Sequence, residues 1–127
     1  KDKNLIKRTL EYSFSEHVRP QDTPAVFAYA GDNRFGAELA WEFTKANWDE
    51  ILERYGKGGH LLPRMVKPAV VFTTKEKAED VRKFFKTHDA PGAERAIEQV
   101  IEKIYSNADW LARDKNKIKA WLKKNSY

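Results

Sequence analysis

Apolar positions recur at helical spacing along the whole chain. The clearest block runs from Arg34 to Gly56. Phe35, Leu39 and Phe43 fall at i, i+4, i+8, and Trp48, Ile51, Leu52 and Tyr55 at i, i+3, i+4, i+7. Each set makes one stripe of an amphipathic helix. Asn47, with Glu50 three residues on, marks an N-cap or a kink between two pieces, and Gly56 is a stop. Before this block, Ile6, Leu10 and Phe14 stripe a helix over 3–14. Thr23 as cap with Pro24 at the first helical position predicts another through Ala30, and 31–33 is a turn.

After the block, 56–59 is a flexible glycine-rich connection. Leu61–Val71 is apolar, but Pro63 and Pro68 argue against a central strand, so a helix is expected from near Pro63, bent at Pro68. Thr73 and Glu76 read as a capping box. It opens a helix ending near His88, with Ala78, Val81, Phe84 and Phe85 inward and Glu79 pairing with Lys83 outside. Residues 89–92 break the pattern, with Pro91 near the next helix start. Ala93, Ile97, Val100, Ile101, Ile104, Ala108 and Leu111 form the longest stripe. Asp114 is expected to cap a last helix with Ile118, Trp121 and Leu122 inward. The reading is all-α: about eight helices, no convincing strand, and one helical domain over 1–127. Short polar connections favour antiparallel neighbours. A degenerate HEAT- or armadillo-like stack of helix pairs fits the irregular spacing, and a compact bundle is the alternative.

The chain has 127 residues, 41% hydrophobic and 34% charged, enough for a real core. No run approaches a membrane span, and the N-terminus lacks a signal-peptide apolar core. The missing initiator Met suggests a processed or excised segment. With no cysteine, disulfides and thiolate metal sites are excluded, which fits a reducing, cytoplasmic setting. The net charge is +5, and six basic side chains lie in the last fifteen residues. A solvated helix face explains them. Trp110 and Trp121 fit core stripes and are not spaced as stacking platforms for nucleic acid, so neither nucleic acid nor membrane is an expected partner.

Little catalytic chemistry is visible. His17, His60 and His88 stand alone in sequence, without metal-ligand spacing. The serines lack GxSxG context, and the 56–59 glycines lack P-loop spacing. Glu38/Glu42 and Glu98/Glu102 are i, i+4 pairs on polar, lysine-containing faces. Three arginines are less bland. Arg64 interrupts an apolar run and needs a carboxylate, carbonyls or a wet cavity. Arg19 and Arg34 sit at turns before helices. A structural ion pair or carbonyl clamp explains each; a groove-facing contact to a peptide carbonyl or C-terminal carboxylate is the sharper reading of Arg64.

Four segments, HVRPQDTPAVFAYAG, LAWEFTKANWDEILERYGKGGHLLPRMV, FTTKEKAEDVRKFFKTHDAPGAERAIEQVIEKI and NADWLARDKNKIKAWL, occur in this order. Together they resemble the C-terminal domain of zinc-dependent aminopeptidases, from about Leu5 to Leu122, with the puromycin-sensitive, cytosolic branch nearest. The resemblance implies an upstream thermolysin-like catalytic domain holding zinc through HExxH and a further Glu, and a GxMEN loop for the substrate amine. Neither motif occurs here. It implies no catalytic or metal residue and no cofactor in this chain, with zinc in the absent catalytic domain. It also implies a superhelix that encloses the peptide chamber. His60, Pro63 and Pro68 depart from the family pattern beside Arg64.

The expectation is a non-catalytic wall of a peptide chamber, with Arg64 and Arg34 as peptide-contacting candidates. The catalytic domain would be its intramolecular partner, and self-association is expected of the isolated piece. The alternatives are a stand-alone helical-repeat module that grips a partner helix or tail, and nucleic-acid binding through the basic C-terminal helix.

Overall fold

Eleven apolar-rich residues, 61–71, become the buried centre of the molecule. A computed structural model describes residues 2–126. Its α-helices are α1 (Lys3–Ser13), α2 (Thr23–Gly31), α3 (Ala37–Ala46), α4 (Trp48–Tyr55), α5 (Leu61–Val66), α6 (Lys75–Thr87) and α7 (Glu94–Lys124), with a 3-10 segment, Lys67–Val71, after α5. No strand occurs among the described residues. On α5 and the 3-10 turn, Leu62, Met65, Val66 and Ala69 are buried at i, i+3, i+4, i+7. This short pair touches α2, α3, α4 and α7. Around it, α1 packs on α2 and α3, and α6 packs on α7. Leu10, Phe27, Ile51, Val81, Ile101 and Ile104 belong to the same buried cluster.

Several boundaries differ from expectation, each for a local reason. The described residues form seven α-helices and one 3-10 segment, in keeping with the all-α reading of about eight helices, but the last two expected helices are one 31-residue helix, α7. Asp114 lies inside it and accepts from its neighbour Arg113 at 2.8 Å. No glycine or proline stands between Ala93 and Asn125, so nothing breaks the backbone ladder there. Ile118, Trp121 and Leu122 are not inward: they are 41%, 58% and 39% exposed, and Trp110 is 52% exposed. Pro91 stays in the preceding turn with Gly92 (φ 79°), since α7 opens only at Glu94.

The caps also differ. Thr23 does not cap α2; its hydroxyl donates to the Ser13 carbonyl at 2.7 Å and ties α2 to the end of α1. Thr74 rather than Thr73 caps α6, accepting from the Lys77 N–H at 3.3 Å. Asn47 marks a kink, its amide donating back to the Phe43 carbonyl at 2.8 Å. Glu79 pairs with Arg82 (3.4 Å) and with the Tyr105 hydroxyl on α7, instead of Lys83.

The α2–α3 turn leaves no room for a side chain at Gly36. A Cβ there would lie 1.8 Å from the Ala30 carbonyl oxygen, a backbone atom that cannot swing away. Asn33 fixes this approach, its side-chain oxygen accepting from the Phe35 and Gly36 N–H groups at 3.0 and 2.9 Å. Gly36→Ala therefore destabilises the fold by about 3 kcal/mol, near the top of the range for one added carbon in a tight site. Urea unfolding read by circular dichroism measures this, and an unchanged midpoint would refute the steric account.

Candidate functional site

Arg34 and Arg64 end up on different elements and both are exposed. The Asn33-centred turn carries Arg34, whose guanidinium lies 4.7 Å above the Phe35 ring. Arg64 sits on the outer side of α5, since Leu62, Met65 and Val66 take the buried positions around it. Its guanidinium has no hydrogen bond or ion pair among the described residues, and no contact among them joins it to Arg34. Arg19 instead follows the plain structural reading and pairs with Asp22 at 2.8 Å. The carbonyl clamp envisaged for an arginine is made by Arg54. It donates to the Phe14 carbonyl at 2.8 Å, pairs with Glu50 at 2.8 Å and lies 5.0 Å over the Phe14 ring.

The most conspicuous polar constellation was not singled out by sequence. Asp80 on α6 accepts from the Trp41 indole N–H at 2.7 Å and from Lys45 at 3.3 Å, while Lys45 also meets Glu42 at 2.8 Å. Beside it, Trp48 donates to the Asp89 carbonyl at 2.9 Å. Trp41, Trp48, Phe84 and Phe85 pack edge-on or tilted, with centroids 5.0–6.1 Å apart, the favoured geometry for aromatic pairs. Two buried indoles thus each find the acceptor that burial demands. Only the i, i+4 pair of Trp41 and Lys45 hinted at this, and its acceptor lies 35 or more residues away.

Burial raises the Asp80 pKa, but the Trp41 and Lys45 hydrogen bonds and the charges of Lys45 and Lys77 outweigh it. The net effect holds the carboxyl below its ordinary 3.8. A carboxyl whose folded pKa is depressed stabilises the fold above its unfolded pKa and loses that contribution as pH falls through the folded value.

The apolar concavity between α1 and α3 has Leu10, Leu39 and Phe43 as floor and Lys7, Glu11, Glu42 and Asn47 at the rim, with a volume of about 480 Å³. Neither Arg34 nor Arg64 lines it. The histidines stay apart: His17 stacks on Tyr12, His88 stacks on Phe84 at 4.0 Å, and His60 is exposed. Among the described residues no three His, Asp or Glu side chains stand close enough to hold a metal ion. Every buried side-chain nitrogen or oxygen among them has a partner. Among the described residues no helix is long and apolar enough to cross a membrane.

Comparison with known proteins decides what this scaffold is. A family profile described as "ERAP1-like C-terminal domain" matches residues 1–106. The chain belongs to the ERAP1-like C-terminal domain family. It is 32% identical to Aminopeptidase 2, mitochondrial, of Saccharomyces cerevisiae over 128 residues, covering 100% of this chain and 13% of that protein. It is 29% identical to the Homo sapiens Endoplasmic reticulum aminopeptidase 1 over 95% of this chain and 13% of the relative. Aminopeptidase M1-B of Oryza sativa subsp. japonica is 35% identical over 87% of this chain and 12% of the relative. The chain thus spans about an eighth of the length of these relatives.

Replacing Asp80 by Asn keeps an acceptor for Trp41 but removes the titrating charge. The unfolding midpoint of the unaltered protein therefore falls more steeply with acid below about pH 4 than that of Asp80→Asn. Parallel urea titrations between pH 6 and pH 2.5 check this, and equal slopes would show that the pairing carries no linkage.

Proposed function

We propose that this chain is the C-terminal helical part of a zinc-dependent aminopeptidase, that it performs no chemistry, and that it forms one wall of a peptide chamber. The carrying observation is the match of residues 1–106 to an ERAP1-like C-terminal domain profile, beside nearly full-length similarity to aminopeptidases about eight times longer. The zinc, in this reading, belongs to the rest of the polypeptide, which is the intramolecular partner. The helix pairs α1/α2 and α6/α7 are read as HEAT- or armadillo-like units of a longer stack. Leu5, Tyr12 and Tyr29, 56%, 54% and 82% exposed on the outer side of α1 and α2, form the face on which a preceding unit would stack. The isolated chain self-associates through that face. The absence of cysteine fits a cytoplasmic setting.

Arg64 is the first candidate for peptide contact. Its charge is exposed and uncommitted to any neighbour among the described residues, which suits a peptide carbonyl or terminal carboxylate. Arg34, steadied over Phe35, is the second. In the intact enzyme, Arg64→Ala raises KM for peptides of about ten residues severalfold, the loss of one charge-assisted contact. It leaves kcat/KM for aminoacyl arylamides unchanged, because those substrates are too short to reach this wall. Equal effects on both substrates, or on neither, would remove Arg64 from the chamber. A purified chain that hydrolysed arylamides alone would overturn the whole reading.

A further inference from the structure

Helix α7 is about 46 Å long, and only its first part lies against the body. Its polar ties to other elements end, among the described residues, at Asn107 and Asp109. Asn107 donates to the Val70 and Phe72 carbonyls at 2.9 and 3.1 Å, and Asp109 meets Lys75, the first residue of α6, at 3.6 Å. From Trp110 to Lys124 the helix runs past the start of α6 for about 22 Å.

The apolar stripe does not stop there. Ile97, Ile104, Leu111 and Ile118 recur every seven residues, the spacing of a helix-pairing seam. Ile97 and Ile104 are buried by the body, whereas Ile118 is 41% exposed and its flanking neighbour Leu122 is 39% exposed. One seam therefore serves two partners, and the fold supplies only the first. Lys115, Lys117 and Lys124 flank the exposed half. Residues 110–124 carry six basic side chains against Asp114 alone, and Asp114 is paired to Arg113.

These charges choose among occupants. A second copy would bring one net-positive overhang against another, and antiparallel pairing would set lysine columns face to face. The stripe keeps a strict seven-residue spacing, the narrow seam that fits a single helix rather than the broad apolar face that lies in a bilayer. We propose that residues 110–124 form a docking surface for an amphipathic helix from outside this chain whose apolar seam is flanked by carboxylates. Leu111 and Ile118 supply the central contacts, Leu122 and Trp110 the edges, and the lysines select the acidic flanks. This rests on α7 alone and does not depend on the aminopeptidase reading.

The test uses the 127-residue chain and two labelled helical peptides of about three heptads, with leucine at the seam and either glutamate or lysine at both flanks. Fluorescence anisotropy is expected to show the glutamate peptide binding at least about tenfold tighter than the lysine peptide, with the preference shrinking at high salt. Ile118→Asp abolishes binding while leaving the unfolding midpoint of the body unchanged. Lys117→Glu combined with Lys124→Glu shifts the preference toward the lysine peptide. Four outcomes would overturn the proposal: binding of neither peptide, equal binding of both, binding that survives Ile118→Asp, or a charge-reversed variant that keeps its preference for glutamate. Self-association that Ile118→Asp disrupts, without peptide binding, would assign the seam to a second copy. Binding to phosphatidylserine vesicles with the same dependence, again without peptide binding, would assign it to lipid.

Discussion

Two indole N–H groups that cannot be buried without an acceptor hold the two halves of this fold in register. The backbones of α3 and α4 do not run closely against α6. Side chains bridge the gap, with Trp41 reaching Asp80 and Trp48 reaching the Asp89 carbonyl. Both indoles are 2% exposed, so an unmet N–H would carry the full desolvation penalty of about 1–3 kcal/mol. The direction of each ring is thereby fixed, and Phe84 and Phe85 close around them. The stretch LAWEFTKANWDEI, which carries much of the family resemblance, is scaffold by this account.

The same logic of partner supply explains which parts of the molecule are free to act. Polar groups that tie one element to another are matched within the chain: Thr23 to Ser13, Tyr55 to the Pro20 carbonyl, Arg54 to the Phe14 carbonyl, Asn107 to two carbonyls. What is left over sits at the periphery. Arg64 is an exposed charge on a short, well-anchored helix, and the far half of α7 repeats a buried pattern in the open. The proposed roles therefore fall on surfaces with room to meet something larger, on a chain that spans about an eighth of its relatives' length.

Most helices were legible because apolar spacing, proline and glycine all pointed the same way. The Arg34–Gly56 block split at Asn47 where its two stripes change phase. At Asp114, a residue that can cap does not start a helix, because nothing breaks the one before it. The inward placing of Ile118, Trp121 and Leu122 failed differently. Periodicity shows that a face is apolar but cannot show whether the fold supplies a cover. Arg64 was visible as a charge in an apolar run, but its outward direction follows only from the phase that Leu62, Met65, Val66 and Ala69 impose. Asp80 was invisible because its partners are 35 and 39 residues away and its own helix gives it no reason to stand out.

The central claim, that the signature tryptophans are structural ties, is tested most directly by a double-mutant cycle on Trp41 and Asp80. Urea unfolding of the parent, Trp41→Phe, Asp80→Ala and the double variant would give the coupling between the two side chains. A coupling of about 1–2 kcal/mol is expected for a charge-assisted, half-buried hydrogen bond. Additivity within about 0.3 kcal/mol would mean that the contact contributes nothing, and that the tryptophan is there for another reason.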